Sequence, residues 1–230
     1  MLSILSIFIA LGQKESVNIN YSLGDSEKIL IFDIDKTLYP QSIPIYEAIT
    51  EGKLDYITKN MDMSRKKIIE LLKDYKKKYG SSIKGFATEH KLNVSACLSY
   101  VLEFVKEKNI LNEDQELKTI LDSIPYRKFV FTNADMGHAK YILTALGILD
   151  CFEVIFYTDY NIKDCWAKPE IRCYKYIEET LGITNPKNIY FFDDSICNIL
   201  QAKNLDWQGF HVTSSNTIKK ILKNNYLDNE

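Results

Sequence analysis

Short apolar runs alternate with segments of helical periodicity through the second half of the chain, and the runs end on polar residues. An earlier run, Lys28–Phe32, has the continuous aliphatic and aromatic character of a strand buried on both faces. Four more strands are predicted at Lys128–Thr132, Val154–Tyr157, Asn188–Phe192 and Gly209–Val212. Helices are predicted between them, over Gly137–Leu146, over Pro169–Leu181 and up to Ala202. This alternation predicts an α/β fold with a doubly wound parallel sheet.

A block without strand signals follows the first predicted strand. Apolar residues recur at helical spacing from residue 45 to residue 79, and Ser64 and Gly80 are the predicted start and stop of one helix. Further helices are predicted at Val94–Glu107 and Glu113–Ser123. We therefore predict an all-helical cap inserted after that strand, with an N-terminal extension at 1–24, a core at 25–40 and 122–230, and the cap at 41–121.

The composition narrows the class of protein. Hydrophobic residues at 46% and charged residues at 26% argue against a disordered chain and against a membrane protein. A formal net charge of −2 gives no reason to expect nucleic acid as a partner. Five scattered cysteines without a CxxC pair indicate a reduced protein, so a cytoplasmic location that could extend to the nucleus is predicted. The composition gives no membrane partner. The oligomeric state is left open.

The N-terminal run Met1–Gly12 is apolar, yet too short to span a bilayer. It resembles the apolar part of a signal peptide but lacks the basic residues that precede one. We therefore expect a docked or frayed extension rather than secretion.

Two aspartates, Asp33 and Asp35, stand two residues apart where the first predicted strand ends. Because strand side chains repeat every two residues, both carboxylates would point the same way. Like charges held that close disfavour joint ionisation unless a cation relieves them. Hard oxygen ligands suit Mg²⁺, so a magnesium site with room for a phosphate is predicted.

Other polar residues follow the later strands. Thr132 and Asn133 end one strand, Asp193 and Asp194 end another, and Lys168 stands just before a helix. Ligands of open α/β sheets bind at the carboxyl ends of the strands, so these residues are expected to converge on one pocket. The acidic pair would complete the carboxylates around the metal. Each motif alone could be a helix cap or a turn, but four of them in this order are hard to obtain from caps.

These residue types allow phosphoryl transfer. Asp33 is the predicted nucleophile, forming an aspartyl-phosphate that water later hydrolyses. Asp35 is the predicted general acid and base, first for the leaving oxygen and then for the attacking water. Mg²⁺, Lys168 and the groups around Thr132 would neutralise the charge of the transition state.

In chain order, these segments resemble the four motifs of the haloacid dehalogenase (HAD) superfamily. The matching strings are Asp33-Ile-Asp35-Lys-Thr37-Leu-Tyr39, Thr132-Asn133, Lys168-Pro169 and Asp193-Asp194-Ser195 with Asn198. Within the superfamily the chain looks most similar to the fungal-type pyrimidine 5′-nucleotidase branch. This finer similarity is carried by strings such as Leu38-Tyr39-Pro40, Phe131-Thr132-Asn133-Ala134 with His138-Ala139, and Phe192-Asp193-Asp194-Ser195.

The resemblance implies a Rossmann-like core with a helical cap and a Mg²⁺-dependent hydrolase of phosphoric monoesters, with pyrimidine nucleoside 5′-monophosphates as preferred substrates. By position it implies that Asp33, Asp194 and the backbone carbonyl of Asp35 bind the metal, with Asp193 a ligand through water or a partner behind the ligands. It further implies phosphate contacts from Thr132, Asn133 and Lys168. The cap residues that would face the leaving group, or else pack within the cap, are Tyr75, Tyr79, Lys84 and His90.

Other functions remain open at this point. The motifs build only the phosphate end of a pocket, so a sugar phosphate or lysophospholipid phosphatase or a phosphomutase fits them equally. A non-catalytic regulatory protein on the same fold is a further alternative, although none of the motif residues is missing. Haloacid dehalogenase activity is disfavoured, because it needs no Mg²⁺ and no acid or base at Asp35.

Overall fold

The described part of the chain, residues 6–12, 27–162 and 164–227 of a computed structural model, contains a six-stranded sheet. In chain order the strands are β1 (Ile7–Ala10), β2 (Ile29–Phe32), β3 (Arg127–Phe131), β4 (Val154–Tyr157), β5 (Ile189–Asp193) and β6 (Gln208–His211). Their spatial order is β1-β4-β3-β2-β5-β6, and every pairing is parallel. The predicted α/β fold with a doubly wound parallel sheet is confirmed.

Most helices fall where the apolar periodicity placed them, with two additions. They are α1 (Ile45–Asn60), α2 (Arg65–Tyr79), α3 (Ser82–His90), α4 (Val94–Lys108), α5 (Gln115–Ser123), α6 (Met136–Ala145), α7 (Ile171–Leu181), α8 (Ile196–Lys203) and α9 (Ile218–Leu222). Helix α9 was not predicted from the sequence, and neither was α3. It begins directly after the left-handed Gly80 that ends α2, and the side chain of Ser81 accepts a hydrogen bond from the Lys84 N–H to cap it.

The central strands β2, β3 and β5 carry the predicted site residues at their carboxyl ends. Every residue of β2 is buried, and the ring of Phe32 stacks on that of Phe192 at 4.8 Å. On the other face Phe131, Phe191 and Trp207 pack around Tyr174. Strands of a parallel sheet covered by helices on both faces need apolar side chains on both faces, which explains the unbroken apolar runs.

The N-terminal run contributes an edge strand that the sequence did not predict. Residues Ile7–Ala10 pair in parallel with β4, and Ile9, Ala10 and Leu11 are buried. Gly12 follows with a φ of 79°, and a Cβ there would lie 2.5 Å from the Trp166 ring, so only glycine fits. The open hydrogen-bonding edge of β4 is what gives this short segment a place to pair. The rest of the predicted extension, residues 1–5 and 13–24, lies outside the described residues.

The chain divides into two compact units. One contains the sheet and spans 1–42, 111–159 and 164–230, and the other spans 43–110 and 160–163 and holds α1 to α4. The predicted cap range, 41–121, extends beyond the helical unit because α5 lies in the unit of the sheet. There α5 packs against α9, and Lys219 of α9 pairs with Asp114 and Glu116 at 2.7 and 2.8 Å. No helix in the described ranges has the length and apolar character to cross a membrane.

Candidate active site

The carboxyl ends of β2, β3 and β5 bring the motif residues of the sheet unit together. Asp33 continues β2, because its N–H donates to the Phe192 carbonyl at 2.9 Å as the next bond of the ladder with β5. Its side chain is only 9% exposed. The Thr37 hydroxyl donates to Asp33 Oδ2 at 3.2 Å, which uses the turn after the strand to fix the carboxylate.

Lys168 is the centre of this cluster. Its Nζ donates to Asp33 Oδ1 at 2.7 Å, to Asp193 Oδ2 at 2.6 Å and to the Phe131 carbonyl at 2.6 Å. Burial by itself lowers the pKa of Lys168, but the charges of Asp193 and Asp33 outweigh it and raise the pKa. The lysine is therefore a permanent cation, and all three of its N–H groups are in use.

Asp193 is fully buried and its oxygens are saturated with donors. Besides Lys168, the Asn198 Nδ2 lies 3.0 Å from both carboxylate oxygens, and the Ser195 N–H donates to Oδ1 at 2.8 Å. This arrangement suits a residue that holds Lys168 and the α8 entrance in place. The next residue, Asp194, is partly exposed, and burial and the Asp193 charge raise its pKa.

Three carboxylates meet at the predicted metal position. Oxygens of Asp33, Asp193 and Asp194 all lie within 4.8 Å of one another. Burial raises the pKa of Asp33 to about 8, with Lys168 opposing the shift and Asp193 adding to it. A divalent cation bound to hard oxygens would reverse this shift, so the donor set fits Mg²⁺. The Asp35 carboxylate does not belong to this group.

Asp35 instead makes contacts that the sequence did not predict. The Tyr39 hydroxyl donates to Asp35 Oδ1 at 2.7 Å, and His138 Nε2 lies 2.8 Å from the same oxygen. Burial alone would raise the pKa of Asp35, but the charge of His138 and the hydrogen bonds from His138 and Tyr39 lower it. One sequence feature could have indicated His138, because it stands in the first turn of the predicted helix that follows the Thr132 strand.

Thr132 and Asn133 both lie at the end of β3, and the side chain of each has a hydrogen-bond partner within the protein. Asn133 Nδ2 donates to the Lys168 carbonyl at 3.0 Å, and Asn133 Oδ1 accepts from the Lys168 N–H at 2.7 Å. The Thr132 hydroxyl oxygen accepts from the Ala134 N–H at 3.0 Å. In this geometry Asn133 orients Lys168, and the phosphate contacts of Thr132, Asn133 and Lys168 stay predictions.

The four cap residues lie in the helical unit, where three of them join one aromatic and polar cluster. Tyr75 Oη and His90 Nε2 are 2.9 Å apart, and the Tyr79 hydroxyl donates to Glu89. A Cβ on Gly85 would lie 2.3 Å from the Tyr75 side chain, so glycine permits this close packing of α2 on α3. Lys84 lies in the first turn of α3. Their contact with substrate stays a prediction.

Comparisons with known proteins agree with this fold. Phosphate metabolism protein 8 of Saccharomyces cerevisiae is 23% identical over 217 residues, which cover 86% of this chain and 68% of that protein. A haloacid dehalogenase-like family hydrolase from Streptococcus pneumoniae has a TM-score of 0.52 at 20% identity, over 89% of this chain and 92% of its own. A β-phosphoglucomutase from Clostridium difficile has a TM-score of 0.51 at 19% identity, over 84% and 88%.

The fold and the match of a family model over residues 27–206 define the protein as a hydrolase. The chain belongs to the haloacid dehalogenase-like hydrolases.

Proposed function

We propose that the protein is a Mg²⁺-dependent phosphomonoesterase that hydrolyses nucleoside 5′-monophosphates, with pyrimidine nucleotides preferred. The observation that carries the proposal is the buried Asp33 carboxylate, held by Lys168 at 2.7 Å and grouped with two further carboxylates. A nucleophile, a fixed cation and a site for a second cation are the parts that phosphoryl transfer needs.

The proposed reaction has two steps on Asp33. A carboxylate oxygen of Asp33 bonds to phosphorus as the bond from phosphorus to the ester oxygen breaks, and Asp35 gives that oxygen a proton. Water then attacks the aspartyl-phosphate, Asp35 takes a proton from the water, and phosphate leaves with Asp33 restored. Mg²⁺, held by Asp33 and Asp194, would neutralise charge on the transferred phosphoryl group.

The lowered pKa of Asp35 favours the second step directly, because a base must be ionised. For the first step the carboxylate needs a proton, and the negative charge of a bound phosphate would raise its pKa toward that state. Lys168 keeps Asp33 in place and offers positive charge beside the phosphorus, while Asn133 and Asp193 keep Lys168 in place.

The substrate is the part of the proposal that depends on sequence similarity. It is supported by the strings around Tyr39 and Pro40 and around His138 and Ala139, which are most similar to the pyrimidine 5′-nucleotidase branch. The name of the yeast relative, a phosphate metabolism protein, agrees with the reaction class.

A panel of phosphate esters tests the chemistry and the substrate together. We expect phosphate release from UMP and CMP to exceed release from purine nucleotides, sugar phosphates and lysophospholipids, and to require Mg²⁺. A flat profile would contradict the nucleotide assignment. Isomerisation of a sugar phosphate without phosphate release would favour a phosphomutase, and no hydrolysis of any ester with Mg²⁺ would favour a binding protein.

A second prediction concerns the metal alone. Mg²⁺ is expected to raise the melting temperature of the wild-type protein, because a ligand that binds only the folded state stabilises it. Asp194→Asn should lose most of this rise, whereas Asp206→Asn, an exposed carboxylate on the same unit, should keep it. Thermal unfolding with Mg²⁺ and with EDTA measures the difference. An equal rise in all three proteins would place the metal elsewhere.

A further inference from the structure

The Asp35 carboxylate is held by one oxygen only. Tyr39 Oη and His138 Nε2 both contact Oδ1, at 2.7 and 2.8 Å. Because an ionised carboxylate only accepts, Nε2 carries the hydrogen of this contact. Within the described residues, Oδ2 accepts no hydrogen bond. The two carboxylate oxygens of Asp35 therefore differ: Oδ1 is held by two hydrogen bonds, and Oδ2 is held by none within the described residues.

The two donors are more deeply buried than the acceptor, which is partly exposed. Tyr39 is 3% exposed, and the His138 side chain is 9% exposed against 36% for Asp35. His138 is also fixed through its backbone, because Asp135 caps α6 and accepts from the N–H groups of Gly137 and His138 at 3.0 and 3.2 Å. Two buried donors from separate segments of the chain, Tyr39 and His138, therefore hold Oδ1 of Asp35.

We propose that His138 and Tyr39 are positioning residues that anchor Asp35 by Oδ1 and leave Oδ2 to exchange protons with the leaving oxygen and with water. The proposal rests on the phosphatase function proposed above. Proton transfer depends on geometry, and a displacement of about 1 Å can reduce a rate by about 10²-fold. A carboxylate without these donors would rotate and present either oxygen.

The positioning of Asp35 predicts a loss that depends on the leaving group. For UMP, whose sugar oxygen must be protonated as it leaves, His138→Ala should lower kcat by about 10²-fold with little change in KM. His138→Gln keeps an N–H donor at nearly the same reach and should restore most of kcat. Steady-state kinetics on UMP, or on the best alkyl phosphate of the panel, gives both values.

The aryl ester p-nitrophenyl phosphate separates positioning from general damage. Its leaving group needs no proton, so rapid-quench kinetics of His138→Ala should show a normal burst of nitrophenol. The steady state after the burst should be slow, because hydrolysis of the aspartyl-phosphate still needs Asp35 as a base. A merely structural role for His138 would slow the burst as well.

Two tyrosine variants give a second test and its matched control. Tyr39→Phe removes the second donor and should lower kcat on UMP in the same sense as His138→Ala, and the double variant should lose more than either alone. Tyr100→Phe removes a hydroxyl that bonds to Asp55 in the helical unit and should leave kcat unchanged.

Crystal structures of the variants test the anchoring of Asp35 independently of turnover. We expect one Asp35 rotamer in the wild type and in His138→Gln, and a moved or split Asp35 in His138→Ala. An unmoved Asp35, or a UMP kcat equal to that of the wild type, would overturn the proposal. A wild-type protein that hydrolyses no phosphate ester would instead contradict the proposed function, and the Asp35 rotamers would still test the anchoring.

Discussion

Replacing Asp33 with Asn is expected to abolish phosphate release from both UMP and p-nitrophenyl phosphate, by at least about 10³-fold in kcat. An amide cannot form the acyl-phosphate, and no other carboxylate shares the position of Asp33 beside both Lys168 and Thr37 in the described structure. The loss should be the same for good and poor leaving groups, which distinguishes it from the loss expected at His138.

The Asp33→Asn protein should remain folded. The Asn oxygen still accepts from Lys168, and the change removes a charge that lies close to Asp193 and Asp194. Its melting temperature without Mg²⁺ should therefore equal or exceed that of the wild type. Asp62→Asn, an exposed change in the helical unit, is the matched control for activity. Wild-type turnover by Asp33→Asn on both esters would show that the nucleophile lies elsewhere.

Replacing Lys168 with Met is expected to have the largest effect on stability. The Lys168 side chain is 1% exposed and its ammonium group neutralises Asp33 and Asp193, so its loss leaves two buried carboxylates without a cation. Breaking a buried ion pair by removing one partner costs about 3–5 kcal/mol, and the Phe131 carbonyl loses its donor as well. The turnover of Lys168→Met should fall as well. Chemical denaturation without Mg²⁺ measures the free energy of unfolding.

A double variant tests this physical reason. In Lys168→Met with Asp33→Asn, one of the unpaired charges is gone, so part of the lost free energy of unfolding should return. Lys140→Met, an exposed lysine of α6, should change the stability by no more than about 0.5 kcal/mol. A Lys168→Met protein as stable as the wild type, or a double variant no more stable than the single one, would contradict the account.

The strands and the site chemistry were predictable because they are local. Strands buried on both faces need unbroken apolar runs, so the predicted bounds of β2 to β6 differ from the observed ones by about one residue. Polar residues at the ends of those runs must lie at one edge of a parallel sheet. That rule placed Asp33 and Asp193 together, and Lys168 was added to them because it stands just before a helix at the same edge.

Other features depend on contacts that no local pattern encodes. The sequence of α5 predicts a helix but not what the helix packs against. Its contacts with α9 and with the turn Leu149–Cys151 assign it to the sheet unit. The run at Ile7–Ala10 lies within the longer apolar run Met1–Gly12, which looked like the apolar part of a signal peptide, and pairing with the edge of β4 made it a strand. Asn133 is a residue type that can bind phosphate, but both polar atoms of its side-chain amide form hydrogen bonds with the main chain of Lys168, 35 residues away.

The sequence by itself determined the parallel sheet, the helical insertion and the set of side chains at the strand ends, since periodicity and residue chemistry are properties of neighbouring residues. The tertiary structure alone decided how those side chains share their bonds. Lys168 is divided between Asp33 and Asp193, and Asp35 is anchored by His138 from 103 residues away. Hydrogen bonds between distant segments form only when the packed core has brought their elements together, so their partners follow from the fold.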